Sequence, residues 1–153
     1  MKNAILFLGL ILCCKGSEGE IYKGDIYIKL IDFGSIYGAS KEKVYELKEQ
    51  LKGSDTLIKN ESDKIFVRHF KNLVKHKLLE KPYFKLKLSD GEIINVYTEE
   101  EEYSKLEALL KGMDRDKEKI EVEFQGDKKE EGIFYASKLL AINKVAGKTD
   151  WKK

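Results

Sequence analysis

The sequence predicts an α+β fold: a mainly antiparallel sheet with about three helices, in the order β-α-α-β-β-α-β-β. Residues 83–97 alternate apolar and polar positions on either side of Asp90-Gly91, a pair suited to a tight hairpin turn. Residues 62–80 instead repeat apolar positions at helical spacing. A length of 153 residues, with one Pro, suits one domain rather than two. The alternative is a small OB-like barrel, closed by the last four strands with one helix between their hairpins.

Residues 21–33 read as the first strand. Ile26, Ile28 and Leu30 fall on one face, with Tyr27, Lys29, Ile31 and Phe33 on the other. Gly24-Asp25 is expected to interrupt it with a bulge. Gly34 to Gly38 is a loop, and Ser40 caps a helix that carries Val44, Leu47 and Leu51 and ends at Gly53. In the helix at 62–80, Phe66, Phe70, Leu73, Val74 and Lys77 share one side. Lys64, Arg68, Lys71 and Lys75 form a basic stripe on another, and Pro82 stops the helix. The hairpin sets Phe84, Leu86 and Leu88 opposite Ile94 and Val96. Thr98 and Glu101 then have the spacing of a capping box. The helix beyond it carries Tyr103, Leu106, Leu109, Leu110 and Met113. Ile120, Val122 and Phe124 alternate with acids in a further strand. Gly126–Gly132 reads as a polar loop, and residues 133–145 as a long final strand ending before Gly147 and Trp151.

Charge excludes two classes of function. Lys plus Arg total 29 and Asp plus Glu total 27, a net charge of +2. That balance suits neither a strongly basic nucleic-acid binder nor an acidic solvating tail. The N-terminus differs from everything after it. Lys2 precedes an apolar run from Ala4 to Leu12, and Cys13 and Cys14 follow at once. The chain then turns polar through Lys15, Gly16, Ser17 and Glu18. A basic residue, a short apolar core and a small-residue end make a secretory signal. The run falls well short of the roughly 20 residues needed to span a bilayer.

Residues 1–14 resemble the start of bacterial lipoprotein precursors, whose lipobox ends in a cysteine that is acylated and becomes the first mature residue. That family prefers a small residue before the cysteine, which favours Cys14 over the alternative, Cys13. The resemblance implies a signal peptide at 1–13, a lipidated tether at 14–20 and a folded domain at 21–153. It also implies a cell-envelope location, with the domain in the periplasm of a two-membrane cell. Lys15 stands where an Asp often retains such proteins at the inner membrane, so the outer membrane is expected. With no Cys beyond residue 14, no disulfide framework is available to the domain. Residues 21–153 resemble no characterised family.

The domain offers little chemistry to the eye. His69 and His76 are the only histidines, and seven residues along a helix set them about 10 Å apart, too far to share one ion. No G-x-S-x-G elbow and no phosphate-binding glycine loop is present. Glu99–Glu102 is explained by the preference of a helix N-terminus for negative charge. Asp32, closing an apolar strand beside Gly34, is the one carboxylate in an apolar setting. The basic stripe is the other notable feature, a surface for lipid head groups or an acidic partner. Tyr22, Tyr27, Tyr37, Tyr97 and Tyr135 are candidates to line a groove for sugar or peptide. The expected function is therefore a non-catalytic binding or interaction domain of a lipid-anchored envelope protein, with no metal, cofactor or nucleic acid. The alternatives are an envelope hydrolase acting on peptidoglycan or glycan, and a small-molecule carrier.

Overall fold

The computed structural model describes residues 19–29, 32, 34–56 and 58–152. The leader with Cys13 and Cys14 lies outside the described residues, as do Leu30, Ile31 and Phe33 of the expected first strand. Among the described residues the chain is α+β, with three α-helices and a six-stranded, mostly antiparallel sheet. The strands are β1 (Glu20–Lys29), β2 (Tyr83–Leu88), β3 (Ile93–Thr98), β4 (Glu118–Glu130), β5 (Ile133–Ala146) and a short β6 (Trp151–Lys152). The helices are α1 (Lys41–Lys52), α2 (Glu61–Lys75) and α3 (Glu100–Lys111). None is long and apolar enough to cross a membrane.

The topology follows from β1, which serves two neighbours. Residues 20–25 pair antiparallel with β4, and residues 24–27 pair antiparallel with β2. β2 pairs with β3, β3 runs parallel to β5, and β5 returns along β4. Five strands thus pair in a ring, β1-β2-β3-β5-β4, which takes in the first strand as well as the four later ones. β6, absent from the sequence reading, adds in parallel to the end of β1 through Ile28 and Lys29.

Gly24 sits where both pairings of β1 overlap, opposite Leu88 on one side and Val122 on the other. A Cβ there would stand 2.7 Å from the Lys87 carbonyl oxygen. Glycine is needed for this close approach, and β1 keeps its register through Gly24-Asp25, so the expected bulge is absent. The register shifts lie instead between β4 and β5, at Glu123/Phe124, Gln125/Gly126 and Lys128/Glu130. These shifts let β4 continue to Glu130, so the expected loop at 126–132 shrinks to a turn at Glu131 and Gly132, the latter at φ 69°.

Alternation sorts the side chains. Ile26, Leu86, Ile94, Val96, Val122, Phe124 and Phe134 face inward and pack with Leu106 of α3. Tyr97 and Ile133 point the other way and join Phe70, Leu73, Leu78 and Leu79 beneath α1 and α2. The hairpin turn is as read, with Gly91 at φ 90°. Ser40 caps α1 by accepting from the Lys43 N–H.

Two helix ends depart from the sequence reading. α2 stops at Lys75 rather than running to residue 80. Lys77 adopts φ 59°, the Leu78 N–H bonds to the Leu73 carbonyl and the Lys77 N–H to that of Val74. This is a Schellman termination, and it turns Leu78 and Leu79 into the core, where both are buried. The buried face of α2 accordingly centres on Val67, Phe70 and Leu73, leaving Phe66 and Val74 exposed. At α3 the capping box does not form. Glu99 is the cap residue, without a side-chain cap bond, while Thr98 ends β3, fully buried, and donates to the Ala136 carbonyl. The parallel β3–β5 seam takes the hydroxyl that sequence spacing had assigned to the helix.

Candidate functional site

The outer face of the β2–β3 hairpin carries four polar side chains in a square. The turn at Asp90 sets the register, which places Tyr83 opposite Tyr97 and Lys85 opposite Asn95. The two tyrosine rings stack with centroids 5.4 Å apart, and the Lys85 ammonium donates to Asn95 Oδ1. The segment after β1 lays Asp32 and Gly34 over this square. Asp32 Oδ2 accepts from the Tyr83 hydroxyl at 2.8 Å and pairs with Lys85 Nζ at 3.2 Å. The Gly34 N–H donates to the Tyr83 oxygen at 2.9 Å, and the Tyr97 hydroxyl donates to the Gly34 carbonyl. A Cβ at Gly34 would overlap the Tyr83 ring, so glycine is required for this approach.

α2 covers one side of the cluster. His69 Nε2 lies 3.3 Å from both the Gly34 carbonyl oxygen and the Tyr97 oxygen. The single Tyr97 proton goes to Gly34, so assigning a proton to Nε2 satisfies both of its contacts. Burial dominates the electrostatics. It holds His69 below its ordinary value, with the Gly34 carbonyl opposing, and it holds the Lys85 ammonium below its own, with Asp32 opposing. Burial also raises the Tyr83 and Tyr97 hydroxyls, keeping both protonated as donors.

Two open clefts meet at this cluster and share Lys29 and Asp32. The first, about 330 Å³, opens where β1–β2 pairing ends and reaches Tyr83 and Lys85, with Tyr27, Tyr103 and Met113 on its walls. The second, about 360 Å³, lies under α2 beside His69, Ser62 and Asn95. Volumes of this order suit small ligands. Asp32, Ser62 and His69 are residue types of a hydrolytic triad, but Ser62 and His69 are seven residues apart on one helix, about 10 Å. His69 Nε2 is committed to Gly34 and Tyr97, which leaves the lone pair of the neutral ring on Nδ1. Among the described residues Asp32 is also the one carboxylate lining either cleft, and glycosidase chemistry requires two. Among the described residues no three His, Cys, Asp or Glu side chains come together. The arrangement presents fixed hydrogen-bond donors and acceptors and a charged pair on the cleft walls.

Of the residues singled out from sequence, Asp32, His69, Tyr27 and Tyr97 come together here. The basic stripe lies apart on α2, where Lys64 pairs with Glu61 at 3.6 Å and Lys75 with Glu130 at 2.8 Å, beside His76 at 2.9 Å from the same carboxylate. Arg68 and Lys71 are exposed on the same helix. Tyr22 packs on Phe124 and Phe134, Tyr135 donates to Glu99, and Tyr37 is exposed. Sequence reading missed Tyr83, Lys85, Asn95 and Arg115. The first three were legible in principle, because the turn fixes which hairpin residues face each other. No family model, curated protein or solved structure matches the chain.

The His69 environment has a measurable consequence. A histidine held below 6.5 in the fold takes up its proton first in the unfolded chain. Its contribution to stability is therefore complete above about pH 6.5 and declines as pH falls toward the folded value. Wild type is expected to lose more stability between about pH 7.5 and 5.5 than His69→Gln, in urea unfolding at each pH. Carboxylates held low by partners, such as Glu99 beside Lys81, titrate lower still and cancel in this comparison. Equal losses in the two proteins would contradict the buried, neutral assignment.

Proposed function

We propose that this is a lipid-anchored protein of the bacterial cell envelope whose folded domain binds a ligand without transforming it. The supporting observation is the cluster of Asp32, Tyr83, Lys85 and Asn95. Its hydrogen bonds hold it rigid, and it lies at the junction of two clefts of small-ligand size. Pre-set donors and acceptors in a cleft favour recognition, since little ordering entropy remains to be lost on binding. A hydrolase is less well supported, because neither cleft brings a second carboxylate to Asp32. A carrier is also less well supported, because the clefts are open and partly polar rather than apolar and enclosed.

The anchor rests on the leader. An acylated Cys14 would hold the domain at the membrane through more than one chain, as stable anchoring requires, and Lys15 after it suggests the outer membrane. Growth of cells in labelled fatty acid tests this. Label is expected on the native protein, retained in Cys13→Ala and lost in Cys14→Ala. An unlabelled native protein, or label that survives replacement of both cysteines, would overturn the anchor.

A further inference from the structure

We propose that the cleft between β1 and β2 takes a small organic anion, its carboxylate or phosphate held by Lys85, Arg115 and Lys29. This deepens the binding role just proposed and rests on it. The charge on the walls points to it. Three cations, Lys29, Lys85 and Arg115, line the cleft against one carboxylate, Asp32. Asp32 is already committed to Lys85 and to the Tyr83 hydroxyl. Among the described residues, neither Lys29 nor Arg115 has a carboxylate within ion-pair distance. Lys85 carries three N–H donors, of which Asp32 and Asn95 take two.

The neighbouring cleft, about 530 Å³, shows that this excess is local. It too is lined by three lysines, Lys23, Lys87 and Lys119, but each is matched. Lys23 pairs with Glu121 at 3.7 Å, Lys87 with Asp150 at 2.6 Å and Lys119 with Asp25 at 2.8 Å. In a chain of net charge +2, an uncompensated cationic concavity concentrates field where low-dielectric walls focus it. The apolar part of the wall, Tyr27, Tyr103, Leu110 and Met113 among others, gives the body of the ligand a surface to cover. A ring bearing one anionic group fits both demands.

Calorimetric titration of the full-length protein in detergent with matched probes tests this: glucose, glucuronate and glucose 6-phosphate on a sugar ring, benzamide and benzoate on an aromatic one. The anionic member of a set is expected to bind at least about tenfold tighter than its neutral counterpart, with affinity falling as salt rises. Comparing glucuronate with glucose 6-phosphate identifies which anion is preferred. Arg115→Gln and Lys29→Gln should each weaken the anion severalfold while leaving the melting temperature unchanged. Neutral and anionic probes binding equally, with affinity lost in Tyr103→Ala, would overturn the anion preference and leave the binding role standing. Anion affinity unchanged in the Arg115 and Lys29 variants would place binding elsewhere and overturn the inference. No binding by any probe would overturn both it and the cleft as a ligand site.

Discussion

Phe124→Ala is expected to lower the unfolding free energy by about 3–5 kcal/mol, the largest effect foreseen for a truncation in this chain. Phe124 has no exposed surface, and its ring stacks on Tyr22 with centroids 5.2 Å apart. Tyr22 in turn meets Phe134 edge-on at 5.0 Å, so the three rings tie β1, β4 and β5 together. Deletion removes the burial of one aromatic and leaves a void that β strands in a ring close around poorly. At the register shift beside Phe124 the extra residue is Leu140 of β5, so Phe124 keeps the inward alternation of Ile120 and Val122. Small domains are stable by about 5–15 kcal/mol, so the variant should sit close to unfolding. Urea denaturation measures it, with Tyr45→Ala as control. Tyr45 is 66% exposed, and a change within about 0.5 kcal/mol is expected there. Similar midpoints for the two variants would mean that the interior is not packed around Phe124.

Gly126→Ala should cost about 3 kcal/mol or more, although it adds a single carbon. Overpacking typically costs about 1–3 kcal/mol when side chains can give way. Here the obstruction is backbone. The added Cβ would overlap the Tyr135 carbonyl, with the Ala136 Cα 3.0 Å away. Gly126 pairs with Glu20 on one side and Ala136 on the other, where β5 carries an extra residue, Ser137. Relief therefore requires β4 and β5 to part, which would loosen the hairpin that extends to Glu130. Gly112→Ala is the control, since nothing lies within 4 Å of its Cβ position. It should match wild type or gain about 0.4–1 kcal/mol by restricting the unfolded chain. Equal effects at the two glycines would contradict the close approach of β4 and β5.

The fold was legible wherever a local signal decided it. Alternation around Asp90-Gly91 produced the hairpin and its register, and Ser40 and Gly53 marked both ends of α1. The departures came where distant partners outbid local ones. Thr98 has the spacing of a cap yet bonds to Ala136, thirty-eight residues away. Residues 126–130 look like a loop because Gly, Asp and Lys dominate them, but pairing with β5 makes them strand. α2 ends early because Leu78 and Leu79 are worth more in the core than as a further helical turn.

The site was half legible for the same reason. Asp32 stood out as a carboxylate in an apolar strand, and His69 as one of two histidines. Their partners lie 28 to 53 residues away: the Tyr97 hydroxyl reaches His69 across 28 residues, and Lys85 reaches Asp32 across 53. No spacing rule over a short window joins Asp32 to Tyr83 and Lys85. Arg115 enters only because the chain leaving α3 passes the mouth of the cleft. The basic stripe was conspicuous because one helix displays it continuously, and within it Lys64 pairs with Glu61 and Lys75 with Glu130.

Amide chemical-shift mapping of the isotope-labelled protein during titration with glucuronate and glucose 6-phosphate decides where an anion binds, because it locates binding residue by residue. Saturable shifts are expected at Lys29, Gly34, Tyr83, Lys85 and Arg115, around the β1–β2 cleft. Shifts confined to the outer face of α2 at Lys64, Arg68, Lys71 and Lys75, or none at the cleft, would contradict binding there.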